Sequence, residues 1–213
     1  MMLRANKIAH ELERTDTDDP LIIVPKPRVA CLRETSTASV DLRLGRWFLV
    51  KRQSKLKSFD VYADDETIPN ESKLVKTVYI PFGGEFILHP RSFVLGVTLE
   101  WIRIPLRFTA FVVDKSSWGR HGLIIATANG VHSGFTGCLT LEITNLGEVP
   151  ISIRPGMAIC QLFLQEVADC SEHPARNGGH FSGSRKPRLK CVKLDDIAVK
   201  LADPLKQGRI WRG

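Results

Sequence analysis

The stretch Asp114-Lys115-Ser116-Ser117-Trp118-Gly119-Arg120-His121-Gly122-Leu123 stands between two apolar, strand-like runs, residues 108–113 and 123–127. Glycine-marked turns join it to Gly134-Phe135-Thr136-Gly137 and then to Thr140-Leu141-Glu142-Ile143-Thr144-Asn145. A cation, two hydroxyls, a guanidinium and a carboxylate thus fall close together among short strands. The surrounding strands read as the barrel that holds them.

Outward from there the chain keeps the same texture. Towards the C-terminus, strands are expected at residues 138–144, 149–153 and 158–165, with Pro155-Gly156 supplying the central residues of a type II turn. Towards the N-terminus they are expected at 77–81, 85–88 and 93–99, separated by Pro81, Gly83-Gly84 and Pro90. The alternation Val40, Leu42, Leu44 against Asp41, Arg43 predicts a half-buried strand through residues 39–50, with a turn or bulge at Gly45. Residues 21–24 predict one more short strand, and residues 51–74, charged and short of aliphatics, an exposed loop. Many short strands at near-regular spacing argue a mainly all-β fold, a barrel or jelly roll, rather than βαβ layers.

Helices are expected only at the ends. Ala5, Ile8, Ala9 and Leu12 recur at i, i+3, i+4, i+7 and predict an amphipathic helix over 3–13. Residues 194–205 predict a last short helix, with Asp195 and Asp196 near its start favouring the dipole. Between them, residues 169–191 carry Gly178-Gly179, Ser182-Gly183-Ser184 and the basic run Arg185, Lys186, Arg188, Lys190, and read as a mobile basic segment. The expectation is a single domain over 1–213, with 1–20 as N-terminal helix and linker, 169–191 as a lid and 192–213 as a tail.

The 213 residues are 43% hydrophobic and 25% charged, enough for one good core. No apolar run reaches membrane-span length and no signal-peptide h-region opens the chain. Five widely spaced cysteines, an odd number, fit a reducing compartment, so a cytoplasmic location and no membrane partner are expected. No Cys-x-x-Cys pair or helix-spaced histidine pair exists, which argues against a zinc site. The net charge of +7 suits an anionic partner without naming it. Nucleic acid is disfavoured, because aromatics are sparse near the basic run.

Strand periodicity puts Leu141 and Ile143 on one face and Thr140, Glu142 and Thr144 on the other. A strand glutamate alone is most often a solvated residue, so the functional reading needs partners. Ser116 and Arg120 are those partners if residues 116–120 make one helical turn, which sets them at i, i+4 on one face. A hydroxyl and a guanidinium pointing the same way can hold a water or an oxyanion and keep a carboxylate ionised. The plainer alternative is an N-cap serine and a surface arginine. Lys115 reads either as a phosphate contact or as an ordinary surface lysine.

Lys115-Ser116-Ser117-x-x-Arg120-x-Gly122-Leu123, Thr127-Ala128, Gly134-Phe135-x-Gly137, Thr140-Leu141-Glu142 and Pro155-Gly156-Met157-x-Ile159-x-Gln161-Leu162 resemble the dCTP deaminase family of the dUTPase-like superfamily. Ser39-Val40-Asp41-Leu42-Arg43-Leu44-Gly45, Phe86-Ile87-Leu88-x-Pro90 and Val97-x-Leu99-Glu100 match in register, so the resemblance covers most of residues 38–165. It implies a homotrimer of distorted β-barrels with active sites between subunits. It implies Mg2+ on the substrate triphosphate and no metal at the reacting carbon, in keeping with the missing H-x-E…P-C-x-x-C signature of zinc deaminases. On it, Glu142 is the base, Ser116 and Arg120 position the attacking water, and the Ala128 carbonyl orients it. Lys115, Ser117, His132, Gln161, His180, Arg185 and Lys186 are implied substrate contacts. The product expected is dUTP plus ammonia; dUTP pyrophosphatase work, alone or after deamination, and a non-catalytic nucleotide-binding trimer are the rivals. Three departures stand out. His132 replaces a usual aspartate, the span between Leu123 and Ala128 is one residue short, and His180-Phe181-Ser182-Gly183-Ser184 replaces the usual Lys-Tyr-Gln-Gly-Gln lid.

Overall fold

The alternation read from residues 39–44 becomes strand β2 (Ser39–Arg43), with Val40 and Leu42 buried and Asp41 exposed. The structure, a computed structural model, describes residues 1–52, 74–168 and 183–189. Most of the loop expected over 51–74, the helix expected over 194–205, and His180 lie outside the described residues. The chain divides into two compact units, Met1–Lys51 with Thr77–Arg188, and Arg52–Lys76 with Leu189–Gly213. Of the second unit little is described beyond the Arg52 N–H donating to the Leu74 carbonyl at 2.8 Å.

The first unit is three antiparallel sheets. The largest contains β3 (Trp47–Lys51), β4 (Val75–Tyr79), β6 (Phe93–Arg103), β8 (Leu123–Ile125) and β10 (Thr136–Asn145), in the order β4-β3-β6-β10-β8. Strand β1 (Ile22–Val24) also pairs with β6. A second sheet runs β2-β12-β7-β9, where β12 is Ala158–Glu166, β7 Phe108–Asp114 and β9 Gly130–Val131. A two-stranded ribbon joins β5 (Phe86–Leu88) to β11 (Ile151–Ile153). The fold is all-β and jelly-roll-like, as the strand spacing predicts, though among the described residues the sheets stay separate and do not close into one barrel. The core lies between the sheets and includes Leu42, Phe48, Ile102, Leu141, Ile143, Ile159 and Leu162, all at or below 1% exposure. Helix α1 (Ala5–Glu13) adds Ala5, Ile8 and Ala9 to that core.

The turn or bulge expected at Gly45 separates β2 from β3. A Cβ at Gly45 would stand 2.9 Å from the Val97 carbonyl oxygen, so the chain breaks there and crosses between sheets against β6. Helix α2 (Val29–Glu34) and strand β9 were not expected. Six and two residues carry too little periodicity to be read. Strand β6 runs on to Arg103 through an irregularity opposite Cys138/Thr140, where the buried Thr98 hydroxyl accepts the Leu139 N–H at 2.9 Å.

Candidate active site

Helix α3 (Ser116–Gly119) is the single turn expected after β7. Lys115 caps its start with an extended backbone, and the Arg120 N–H donates to the Ser116 carbonyl at 3.1 Å. Ser116 and Arg120 therefore share a face, and both are exposed. Trp118 lies on the opposite side, half-buried against the core, and its Nε1–H donates to the Ala158 carbonyl at 2.8 Å. That bond anchors the turn on β12. The chain then reverses at Gly122, with φ +83°, where any Cβ would fall 2.6 Å from the Gly147 nitrogen. Only glycine fits, and the reversal feeds β8 alongside β10.

Glu142 sits on β10 with Leu141 and Ile143 fully buried on the other face and its own side chain half-buried. Beside it, β8 pairs Ile125 with Ile143, and the Ala126 N–H donates to the Glu142 carbonyl at 2.7 Å. Thr127 and Ala128 follow at once, so the structure brings Glu142 together with the Ala128 segment. It does not join Glu142 to α3. Among the described residues, the Glu142 carboxylate, the Ser116 hydroxyl and the Arg120 guanidinium have no hydrogen-bond or ion-pair partner.

The implied phosphate contacts are placed differently. Lys115 Nζ donates to both Asp41 carboxylate oxygens at 2.8 Å. Gln161 Nε2 donates to Asp41 Oδ1 and to Ser39 Oγ, each at 3.2 Å. Asp41, on the edge strand β2, thus gathers Lys115 and Gln161. Its only sequence signal was its place within the matched Ser39–Gly45 motif. Ser117 is exposed on α3, and His132 is exposed in the turn after β9. Gly183 and Ser184, expected within the mobile segment, are tied to β10. The Gly183 N–H donates to the Thr136 carbonyl at 2.5 Å and the Cys138 N–H to the Ser184 carbonyl at 2.9 Å. Lys186 lies with Nζ 4.0 Å from the centre of the Trp47 ring, while Arg185 is exposed.

Two features escaped sequence reasoning. Glu100, 1% exposed, accepts Arg43 Nη1–H at 2.9 Å and the Arg43 backbone N–H at 2.8 Å. Burial raises its carboxyl pKa, and the bonds from Arg43 pull the other way. Burial also pushes the Cys160 thiol up to about 12 and raises that of Cys138, so neither is a ready nucleophile.

Residues 8–167 match the family described as dCTP deaminase-like. A dCTP deaminase, dUMP-forming, from Sulfurihydrogenibium sp. is 42% identical over 159 residues, covering 74% of this chain and 83% of its own. A dCTP deaminase from Haloarcula marismortui is 36% identical over 203 residues, covering 92% and 96%. Among solved structures, the 2'-deoxycytidine 5'-triphosphate deaminase of Agrobacterium tumefaciens superposes with a TM-score of 0.57 at 21% identity, over 78% of this chain and 48% of that one. It shares the fold, and this chain spans about half its length. The family match takes in α3, Glu142 and most of the three sheets, and this chain is an enzyme of the dCTP deaminase-like family.

Proposed function

We propose that this enzyme hydrolyses the 4-amino group of dCTP, releasing dUTP and ammonia. The observation that carries the reading is the carboxylate of Glu142, half-buried on β10 with no protein partner among the described residues, beside the Thr127-Ala128 segment. Glu142 takes a proton from a water as its oxygen bonds to C4 of the cytosine. The proton passes to N3, a second goes to the amine, and the C4–N bond breaks to leave a carbonyl and ammonia. Ser116 and Arg120 hold the water and balance charge, and the Ala128 carbonyl orients it. Positioned proton transfer supplies about 10²–10⁴-fold, and oriented charges supply the remainder.

Each site as proposed lies between two neighbouring copies of a trimer, because in one copy Ser116 and Arg120 are exposed and make no bond to Glu142 among the described residues. Ser117 and Gln161 serve nucleotide binding on the same reading. Lys115, Arg185, Lys186 and His180 serve the phosphates, and Lys115 must then leave or share Asp41. Among the described residues no three His, Cys, Asp or Glu side chains gather as metal ligands. On the proposed reading magnesium enters with the substrate triphosphate, whose charge it would neutralise, and Glu142 rather than a metal activates the water at C4.

A second reading, dCTP to dUMP, is favoured by relatives named as dUMP-forming, one of them 42% identical. Against it, His132 stands where pyrophosphatase members place an aspartate, and an imidazole lacks the two acceptor oxygens with which a carboxylate anchors a water at the α-phosphate. The test incubates the protein with dCTP and magnesium and separates dUTP, dUMP, pyrophosphate and ammonia. Ammonia with dUTP is expected. Stoichiometric pyrophosphate would establish the second reading, and no ammonia at all would overturn both.

A further inference from the structure

We propose that Thr127 is the positioning residue of Glu142 and that the Asn129 side chain holds Thr127 in place; this rests on reading Glu142 as the base. In an antiparallel ladder, the pair one step beyond Ile125 and Ile143 is Ala126 with Glu142, which should exchange two backbone hydrogen bonds. One is made, from the Ala126 N–H to the Glu142 carbonyl at 2.7 Å. The reciprocal one is not. The Glu142 N–H donates instead to Thr127 Oγ1 at 2.8 Å. A side-chain hydroxyl stands where the Ala126 carbonyl would stand, and it is the sole partner of that N–H among the described residues.

The next residues are fixed from the other sheet. The Asn129 amide, turned as its two neighbouring carbonyls require, donates to the Val112 carbonyl at 3.1 Å and the Thr127 carbonyl at 3.0 Å. Its backbone carbonyl accepts the Val112 N–H at 2.9 Å. The chain therefore leaves β8 at Ala126 and reaches β9 at Gly130 under hydrogen bonds from both sheets. Ala128 is suspended between these two anchors, exposed. One hydroxyl thus couples the backbone of the base to the segment whose carbonyl is to orient the water. A base must stand within hydrogen-bond reach of its proton, and misplacement by about 1 Å can cost about 10²-fold in rate.

Valine at this position keeps the shape of threonine but offers no acceptor, while serine keeps the oxygen. The experiment measures kcat and KM for dCTP with magnesium in wild type, Thr127→Val, Thr127→Ser and Asn129→Ala, alongside exchange of the Glu142 amide. Thr127→Val should lower kcat by about 10–100-fold with KM within about threefold of wild type, and its Glu142 amide should exchange faster. Thr127→Ser should keep both properties. Asn129→Ala should lower kcat in the same direction, and it carries the kinetic arm should Thr127→Val not fold. Wild-type kcat in the valine variant, or equal losses in the valine and serine variants, would overturn the proposal while the deaminase reading stands. Absence of ammonia from wild type would overturn that reading, and the proposal with it.

Discussion

Two carboxylates on neighbouring strands show how much of a residue's role its own position carries. Glu142 was legible, since period two alone turns it away from Leu141 and Ile143, and its half-burial agrees. Glu100 was not. Nothing local distinguishes it from an exposed strand glutamate, because its partner Arg43 lies 57 residues earlier. Their chemistry should separate them. Glu142→Gln should keep the fold and nucleotide binding while ammonia release falls by at least about 10²-fold. Near-wild-type deamination by that variant would remove Glu142 as the base. Glu100 behaves as a structural group whose charge is costly to bury. Its folded-state pKa is raised by burial, so its favourable contribution is full below the ordinary glutamate value and is lost as pH rises through the folded one. Arg43→Ala removes the offsetting guanidinium and raises that pKa further. The variant should lose about 1–3 kcal/mol, more at pH 8 than at pH 5. Urea midpoints at the two pH values measure this, and an equal deficit at both would mean that Glu100 is not the ionised partner.

Elements are built by turns as much as by strands, and glycine substitutions show which turns position the site. Gly122 and Gly83 both adopt positive φ, at +83° and +85°. A Cβ at Gly83 meets nothing within 4 Å, whereas one at Gly122 would press 2.6 Å from the Gly147 nitrogen and 2.9 Å from its Cα. Gly83→Ala should therefore cost only the conformational penalty, about 1 kcal/mol. Gly122→Ala should cost more than about 3 kcal/mol and push the end of α3 away from the loop after β10, lowering deamination even in the fraction that stays folded. Equal thermal shifts for the two variants would refute the close approach. The sequence showed Gly122 as a turn marker but not what it touches, since Gly147 belongs to the loop after β10, held by Asn145 Oδ1 accepting the Gly147 N–H at 2.9 Å. Gly45 was likewise legible as a turn, but not the Val97 backbone that presses on it. Strand periodicity is local and was readable, while the backbone that forces a strand to end comes from elsewhere in the chain.

At the scale of the whole molecule, one copy holds every part of the proposed chemistry and assembles only half of it. Glu142 is set beside Thr127-Ala128 on β8 and β10, while Ser116 and Arg120 project from α3 into solvent, without partners among the described residues. On the proposed reading Ser116 and Arg120 act on the same water as Glu142, and a second copy of the chain would bring them to it. A head-to-tail interface that closes on itself would do so once per neighbouring pair, and three copies would give three equal sites. Light scattering should accordingly return a trimer, and a fully active monomer would refute this arrangement. Mixing variants tests it more sharply. Arg120→Ala and Glu142→Gln should each be inactive alone. Unfolded together and refolded as mixed trimers, they should recover about a quarter of wild-type activity, because a site is intact only where an Arg120→Ala copy supplies Glu142 and its neighbour, Glu142→Gln, supplies Arg120. If both groups acted within one copy, no mixture could contain an intact site. Activity that stays at zero in trimers shown to be mixed would place Arg120 and Glu142 in the same subunit.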